Sequence, residues 1–316
     1  MKIAVLTAPH TFEVVEEPEP SIAADEVLVR VSACGVCASE LDMWEGRGSS
    51  AFPIYPGHEV SGTVIDVGQD VVTPGVGESV AVWTTGRGFA EQVAVRAEHC
   101  RPSGDVPLEQ ALLEPVACAA NAVELADVRL ADDVVIIGAG FMGHLVQQLV
   151  QLRGPRQVIV ADTRSDALER ATSLGAGRVV DVGFESLPEV VGELTEGKGA
   201  DITFEVTGVQ AALDVLDQTT RMSGKVVLVG FHQGTPRQIP LGTWNWMAYD
   251  IVNAHFREPS TILRGMTVGM RLLTAGRLSL DGLVTHRFDL ESVNEAFRTA
   301  VEKPDGFVKA TVTTGA

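Results

Sequence analysis

The chain has 316 residues, of which 24 are Lys or Arg and 42 are Asp or Glu, so its formal net charge at pH 7 is −18. Nucleic acids and anionic membranes are bound through a basic face, so we predict no nucleic-acid partner and no membrane partner. A chain of this length is typical of two domains.

The start of the chain predicts a cytoplasmic protein. Residues 1–20 alternate apolar and polar positions and soon become charged, so they lack the apolar core of a signal peptide. No stretch has the roughly 18 consecutive apolar residues of a membrane span. The 4 cysteines are too few for a disulfide framework in a chain this long.

Residues 1–118 predict a β-rich domain. Short Val-rich runs such as "EVLVRVSACG", "VSGTVIDVG" and "ESVAVW" are separated by Gly, Pro and Asp. A period of two with turns between the runs is typical of the strands of a barrel-like domain.

From about Asn121 onward, predicted strands alternate with predicted helices. The strands are "VVIIGAG", "QVIVAD" and "ADITFEVTG", and the helices that follow them are "FMGHLVQQLVQL", "RSDALERATSLG" and "VQAALDVLDQTT". "GKVVLVG" and "WMAYDIVNAHF" are predicted as the last two strands. This order predicts a doubly wound parallel sheet and therefore the α/β class.

The last part of the chain resembles the first part again. A helix, "TILRGMTVGMRLLTAG", precedes "LVTHRFDL", the short helix "ESVNEAFRTAVE" and the strand "FVKATVTT". We therefore predict that residues 1–118 and 257–316 form one domain and that residues 119–256 form a second domain inserted into it.

The stretch "VVIIGAGFMG" places Gly138, Gly140 and Gly143 in G-x-G-x-x-G spacing between a strand and a helix. Gly138 allows a tight turn, Gly140 lets the backbone approach a pyrophosphate at the helix N-terminus, and Gly143 lets helix and strand pack closely. The next strand ends at Asp162, about 20 residues on, where an acid binds ribose hydroxyls. These features predict a dinucleotide site.

Asp162 also favours NAD over NADP, because a carboxylate accepts hydrogen bonds from a free ribose diol and repels a 2′-phosphate. Arg164 has three open interpretations: it lines the adenosine, reaches a phosphate, or faces solvent at the start of a helix. Phe141 and Met142 lie inside the glycine fingerprint and are included in the predicted site.

The stretch "ACGVCASELD" contains Cys34 and Cys37. A zinc knuckle needs a second pair of ligands at short spacing, but Cys100 and Cys118 are isolated. A thioredoxin-like pair begins a helix in a βαβ unit, whereas this pair follows a strand, so a redox pair is not favoured. A catalytic zinc takes three protein ligands and leaves one position open. His58 and Glu59 in "PGHEVSG" and Glu114 in "LLEPVA" carry suitable side chains.

Together these residues resemble the medium-chain dehydrogenase/reductase family, in its zinc-dependent alcohol and polyol branch. The matching fragments follow the family's order over nearly the whole chain, and they are "GVCASELD", "PGHEVSGTVIDVG", "GESVAV", "FAEQVAV", "ALLEPVA", "GAGFMG", "FEVTG" and "GKVVLVG". The resemblance implies a GroES-like catalytic domain, a Rossmann domain and hydride transfer between NAD(H) and a small secondary alcohol or ketone. It also implies a homodimer or homotetramer.

By this resemblance, Cys37 is the first zinc ligand, His58 the second, and Glu114, as the Glu of an "EP" pair, the third. Glu59 is an acid kept close to the metal. Many relatives carry a lobe with four cysteines that holds a structural zinc, whereas here "VAVW" passes through "TTGRG" to "FAEQVAV". We therefore predict one catalytic zinc per chain and no structural zinc.

The resemblance also implies roles for the neighbours of Cys37. Glu40 orients the ligand histidine, and Ser39 passes on the substrate proton. Asp42 stands where several relatives have a histidine, and it is either a proton relay or a surface acid. Cys34 matches no ligand and most resembles a buried packing residue. The residues that match segments flanking the nicotinamide are Thr207, Val229, Gly230 and Phe231.

The glutamate ligand and the segment "TWNWMAYDIVNAHFREP" suggest a polyol, sugar or cyclitol as the substrate. Aromatic candidates for the pocket are Trp44, Phe52, Trp244 and Trp246. Two other functions stay open: a zinc-free, NADP-dependent quinone or enone reductase of the same superfamily, and a nucleotide-binding relative that has lost its chemistry.

Overall fold

The computed structural model describes residues 1–47 and 51–315. The chain divides into two compact units, the first made of Met1–Ala117 and Glu258–Ala316 and the second of Cys118–Arg257. Each boundary lies one residue from the boundary predicted from the sequence, which divides the chain into residues 1–118 with 257–316 and residues 119–256. No helix in the described ranges combines the length and the apolar character needed to cross a membrane.

The first part of the chain is mostly strands. They are β1 (Lys2–Ala8), β2 (Thr11–Glu16), β3 (Glu26–Gly35), β4 (Glu59–Val67), β5 (Ser79–Trp83), β6 (Gln92–Arg96) and β7 (Cys100–Pro102), with helices α1 (Ala38–Trp44) and α2 (Leu113–Ala126). The boundary between the units falls within α2.

The middle part alternates strands and helices. In chain order these are β8 (Asp133–Ile137), α3 (Phe141–Gln151), β9 (Gln157–Asp162), α4 (Ser165–Ser173), β10 (Arg178–Asp181), α5 (Leu187–Leu194), β11 (Ala200–Glu205), α6 (Gln210–Leu213), α7 (Leu216–Thr219), β12 (Thr220–Leu228), α8 (Leu241–Trp246) and β13 (Asp250–Asn253). The last part contains α9 (Pro259–Thr274), β14 (His286–Asp289), α10 (Val293–Glu302) and β15 (Ala310–Thr313).

The first unit is built on a sheet with the strand order β14-β15-β3-β4-β5-β7, and β6 also pairs with β3. β15 lies antiparallel to β3, so the end of the chain completes the sheet begun by its first third. The inward positions of β3 and β4 are almost all fully buried, as expected for Val-rich strands that cover a core. The predicted β-rich character is confirmed.

The second unit contains a six-stranded parallel sheet with the order β10-β9-β8-β11-β12-β13. β8 and β9 read as continuous apolar runs because helices cover both faces of such a sheet. The predicted doubly wound sheet and the α/β class are confirmed. Ligands of this fold bind at the carboxyl ends of the strands, where Asp162 ends β9 and Glu205 ends β11.

Two element predictions need correction. The segment "VQAALDVLDQTT" forms α6 and α7 rather than one helix, because Val215 has φ −110° and ψ −2°, which interrupts the helical backbone between them. The predicted strand "WMAYDIVNAHF" is only β13, since Trp246 ends α8 and Ala248 adopts a left-handed φ of 53°.

Candidate metal and cofactor sites

The cysteine and histidine predicted as zinc ligands come together where β3 ends and β4 begins. Gly35 pairs with Glu59 across these antiparallel strands. Cys37 is the N-cap of α1, directly after β3, and His58 directly precedes β4. One ligand atom each from Cys37, His58 and Glu59 lie within 4.8 Å of one another. The pairing of β3 with β4 thus brings Cys37 close to His58 and Glu59, although about 20 residues separate them in the sequence.

Glu40 holds the ring of His58. Its Oε1 lies 2.9 Å from His58 Nδ1 and accepts a hydrogen bond from the Gly57 backbone N–H at 2.6 Å. A ring that donates from Nδ1 leaves Nε2 for a metal. Burial lowers the pKa of His58, but the negative charges of Glu40 and Cys37 outweigh burial, so that the pKa lies well above its usual value.

Ser39 and Asp42 lie on the same short helix but in different surroundings. The Ser39 hydroxyl donates to Cys37 Sγ at 3.3 Å, which places Ser39 beside the ligand atoms. Asp42 Oδ1 instead accepts from Arg47, from Nε at 3.0 Å and from Nη2 at 2.6 Å. One oxygen of the Asp42 carboxylate is thus engaged by a cation.

Lys309 is a residue of this region that the sequence analysis did not single out. Its ammonium donates to Glu59 Oε1 at 2.8 Å and lies 2.7 Å from Oε2, and the two side chains are only 7% and 1% exposed. The ammonium thus lies close to both oxygens of the Glu59 carboxylate. A Cβ at Gly35 would lie 2.0 Å from Oε2, so only a glycine there leaves room for the carboxylate.

Burial alone lowers the pKa of Lys309, but the charges of Glu59, Cys37 and Glu114 outweigh it, and the pKa is raised. Lys309 is therefore a buried cation among acidic groups. A sequence signal did exist, because "FVKATV" places one lysine in an apolar strand, and a buried charge needs a partner. The sequence could not name that partner.

Glu114 lies in the first turn of α2 and is partly buried. Its charge acts on Lys309, so the two side chains lie in the same region. Glu114 does not belong to the group whose ligand atoms lie within 4.8 Å, in which Glu59 is the acid. The set of Cys37, His58 and Glu114 stays a prediction.

Cys34 has a different role from Cys37. It is fully buried in the apolar core of the first unit, and all four cysteines are free. Burial, followed by the charges of Glu40 and Glu59, raises the pKa of the Cys34 thiol well above its usual value, so the thiol is unreactive. The interpretation of Cys34 as a packing residue is confirmed.

Of the four aromatic candidates for the pocket, three pack in or against a hydrophobic core and one is exposed. Trp44 and Trp244 are core residues of the first and second units, and Phe52 packs at the edge of the first core. They are packing residues because their rings fill apolar space. Trp246 is 79% exposed and lies on the surface of the second unit.

The glycine turn of the second unit has the geometry of the dinucleotide fingerprint. Gly138 has φ +109°, a value that favours glycine. A Cβ at Gly143 would lie 1.9 Å from the Gly138 carbonyl oxygen, so helix and turn pack too closely for any side chain. A Cβ at Gly140 would meet nothing within 4 Å, so open space lies over the helix N-terminus. Phe141 and Met142 are the first two residues of α3.

Asp162 fastens this turn to β9. Its Oδ2 accepts from the Ala139 N–H at 2.7 Å, and its Oδ1 accepts from the N–H groups of Thr163 and Arg164 at 2.8 and 3.0 Å. The Arg164 guanidinium lies 3.9 Å from Asp162 and 3.7 Å from Asp166. Arg164 therefore lies beside the predicted ribose-binding acid, between two carboxylates.

The segments predicted to flank the nicotinamide meet at Glu205. The Thr207 N–H donates to Glu205 Oε1 at 2.7 Å, and the N–H groups of Val229 and Gly230 donate to the Glu205 carbonyl at 2.8 and 2.9 Å. Phe231 follows with its ring partly exposed, 5.4 Å from the ring of His255. The structure thus brings Thr207 and residues 229–231 to the carboxyl ends of β11 and β12.

His144 directly follows Gly143 of the glycine turn. It is fully buried in the first turn of α3, and neither ring nitrogen has a hydrogen-bond partner among the described residues. Burial, together with the charge of Arg170, lowers its pKa to about 4. The imidazole is therefore neutral at neutral pH.

Comparison with known proteins places both units in one family. Residues 23–108 match the alcohol dehydrogenase GroES-like domain, and residues 142–262 match the zinc-binding dehydrogenase domain. The chain is 30% identical to a sorbitol dehydrogenase of Gallus gallus over 89% of its length and 88% of the relative. It is 27% identical to D-arabinitol dehydrogenase 1 of Uromyces fabae over 91% of its length and 90% of the relative.

A similar solved structure is that of 2R,3R-butanediol dehydrogenase from Bacillus subtilis. Its TM-score is 0.87 at 25% identity, and the likeness covers 99% of both chains. Domain matches, full-length relatives and fold therefore agree. The chain belongs to the zinc-dependent medium-chain dehydrogenase/reductase family, the oxidoreductases that include the alcohol and polyol dehydrogenases.

Proposed function

We propose that the chain transfers a hydride between NAD(H) and a secondary alcohol or ketone with the help of one zinc ion, and that the alcohol is a polyol, sugar or cyclitol. The observation that carries the proposal is the group of Cys37, His58 and Glu59, with ligand atoms within 4.8 Å. The dehydrogenases of sorbitol, D-arabinitol and 2R,3R-butanediol to which the chain is similar support this class of substrate.

The donor set fits zinc, which proteins bind through thiolate sulfur, imidazole nitrogen and carboxylate oxygen. We keep Glu114 as the third ligand. Glu59 is then an acid beside the metal, and Lys309 balances the negative charge of Glu59. In the alternative, Glu59 is the third ligand, which its place in the group with Cys37 and His58 favours. Zinc content separates the two, because Glu114→Gln loses zinc in the first arrangement and Glu59→Gln loses it in the second.

Zinc supplies Lewis acidity toward a hydroxyl or carbonyl oxygen, and the nicotinamide carries the hydride. Ser39, whose hydroxyl lies 3.3 Å from Cys37 Sγ, accepts the proton of the substrate hydroxyl and releases its own. The released proton leaves through Asp42 or directly to solvent. Glu40 keeps the His58 ring oriented during the reaction.

For the cofactor, we propose that the open space over Gly140 admits the pyrophosphate and that Asp162 selects NAD. The Asp162 carboxylate already accepts three backbone N–H groups, which leaves about one of its four lone-pair sites for a ribose hydroxyl. A 2′-phosphate would meet this negative charge directly. Asp162→Ser is expected to narrow the preference for NAD over NADP, as measured by kcat/KM for each cofactor.

The proposal is tested with a panel of polyols, sugars and cyclitols, each offered with NAD and with NADP, by following the absorbance of the reduced cofactor. We expect turnover with NAD and one zinc per chain by elemental analysis. Activity on quinones or enones at well under one zinc per chain would identify a zinc-free reductase instead. NADH binding without turnover on any substrate would identify a non-catalytic relative.

We also propose that the chain forms a homodimer or homotetramer through the edge of the parallel sheet. β13 is the last strand in the sheet order, and its Ile251 and the nearby Trp246 are exposed apolar side chains. An unpaired edge with apolar side chains is suited to strand pairing between copies. Ile251→Lys is expected to halve the mass in light scattering, from a dimer to a monomer or from a tetramer to a dimer.

A further inference from the structure

We propose that Glu205, His232 and Arg237 form a charged array that positions the nicotinamide end of the cofactor. The inference rests on the proposed function, because it assumes that a nicotinamide dinucleotide binds the second unit. All three residues lie in that unit: Glu205 ends β11, and His232 and Arg237 follow the carboxyl end of β12. His232 and Arg237 match none of the family motifs found in the sequence.

Glu205 is the centre of the array. Its side chain is completely buried, which is costly for a carboxylate unless its charge and lone pairs are compensated. Oε1 accepts from the Thr207 N–H at 2.7 Å, from the Thr207 hydroxyl, and from the Gly208 N–H at 2.8 Å. Oε2 lies 2.8 Å from His232 Nε2. Both oxygens are therefore engaged, and one of them depends on His232.

Arg237 determines which nitrogen of His232 carries the proton. The Arg237 Nε–H points at His232 Nδ1 at 3.3 Å, and a guanidinium can only donate, so Nδ1 is the acceptor. His232 must then carry its proton on Nε2 and donate it to Glu205. The array is thus a directed chain of hydrogen bonds from a cation through a neutral imidazole to a buried carboxylate.

The array also connects two turns of the backbone. Glu205 holds the turn at residues 207–208, and Arg237 Nη2 donates to the Gly208 carbonyl at 2.9 Å. Arg237 Nη1 donates to the Thr235 carbonyl at 2.9 Å, which closes the loop that begins at Phe231. His232 is bonded to Phe231 in the chain, so fixing the His232 ring fixes the backbone that carries the exposed Phe231 ring.

These turns lie at the edge of the sheet where this fold binds ligands, and they contain Thr207 and residues 229–231, which are predicted to flank the nicotinamide. The array bonds directly to these turns, through Glu205 at residues 207–208 and through Arg237 at the carbonyls of Gly208 and Thr235. The array therefore fixes the backbone of the turns. We infer that His232 and Arg237 are positioning residues, which act on the cofactor through these turns.

The inference predicts a selective effect on the nicotinamide half of the cofactor. His232→Phe keeps a ring but removes both hydrogen bonds, whereas His232→Gln keeps one donor and one acceptor. We expect His232→Phe and Arg237→Gln to raise the Kd for NADH about tenfold or more, with the Kd for ADP-ribose changed less than about twofold. His232→Gln should restore most of the NADH affinity.

Titration calorimetry with NADH and with ADP-ribose, on each variant, decides the question. If a variant lost affinity for NADH and for ADP-ribose to the same extent, its residue would have a general role in folding and the inference would be wrong. An unchanged Kd for NADH in His232→Phe would also overturn it. If the unaltered protein binds ADP-ribose but not NADH, or neither, the proposed function itself fails. That result is seen before any substitution is made, so the two failures are distinguishable.

Discussion

The two candidate sites are built in contrasting ways. The cofactor turn occupies residues 138–143 and the end of the next strand, and its backbone conformation defines it. Gly138 has a positive φ, and a Cβ at Gly143 would lie only 1.9 Å from the Gly138 carbonyl oxygen. The metal group joins Cys37 and His58 to Lys309 near the end of the chain through buried charges. A site defined by backbone depends on its neighbours in sequence, whereas a site defined by charge depends on distant partners.

The largest expected effect comes from Cys37, which tests whether the charged site is a metal site. Cys37→Ala removes a zinc ligand, so we expect loss of zinc and a fall in kcat/KM of about a thousandfold or more, because Lewis-acid activation is lost. NADH affinity should not change, since the glycine turn belongs to the other unit. Elemental analysis, steady-state kinetics and NADH titration measure the three quantities.

Cys34→Ala is the matched control, because it removes a thiol of the same stretch that lies in the core. It is expected to keep zinc and turnover and to lose about 1–2 kcal/mol of stability through the lost packing. Retention of one zinc per chain in Cys37→Ala would contradict the metal assignment.

The second largest effect is expected at Lys309, on stability. Lys309→Met leaves the Glu59 carboxylate buried without its cation, and breaking a buried ion pair from one side costs about 3–5 kcal/mol. Lys309→Met combined with Glu59→Gln should recover much of this loss because no uncompensated charge remains. Urea unfolding of the chelator-treated proteins measures the free energies.

Lys198→Met provides the control for loss of a lysine ion pair. Lys198 lies 3.1 Å from Glu196, but its side chain is 72% exposed, so this pair is worth less than about 1 kcal/mol. If Lys309→Met changed the free energy of unfolding as little as Lys198→Met, the buried pair would not stabilise the metal region.

The same contrast explains what could be predicted from the sequence. The turn at Gly138–Gly143 and the acid at Asp162 lie within one strand–helix–strand unit, so spacing along the chain predicts their place in space. Lys309 could not be placed, because its partner Glu59 is 250 residues away and only the pairing of β15 with β3 brings them near each other. The same holds for His232, whose role depends on the buried Glu205.

The division of "VQAALDVLDQTT" into two helices was missed for another physical reason. The apolar period of this segment continues through Val215, and the periodicity gives no sign of the backbone change there. The alternating strands and helices were predictable because burial on both faces gives each strand of a parallel sheet a continuous apolar run.

A smaller effect is expected when the pH is lowered, on the free energy of unfolding of the second unit, which carries the cofactor turn. His144 is buried and neutral with a pKa of about 4, below its ordinary 6.5. Between these values the unfolded chain binds a proton that the folded chain does not, so stability falls as the pH falls through this window and levels off below it. The full loss is about 3 kcal/mol.

His144→Leu should remove this contribution and flatten the dependence of the free energy of unfolding on pH between about 4 and 6.5. The difference between the two proteins is the quantity to measure, because Asp162, Asp166, Arg164 and Arg170 act on the imidazole and remain in both. Equal slopes in the two proteins would mean that His144 is not buried as a neutral ring.

The smallest effect is expected at Asp42, on the proton path of the metal site. Two donors of Arg47 engage Asp42 Oδ1 and hold the carboxylate in an ion pair with that cation. We expect Asp42→Asn to change kcat less than about threefold, whereas Ser39→Ala lowers it about a hundredfold or more because the group that takes the substrate proton is gone. The released proton would then reach solvent without Asp42. A larger loss in Asp42→Asn, with a shifted acid limb in the pH profile of kcat, would instead place Asp42 in the relay where several relatives have a histidine.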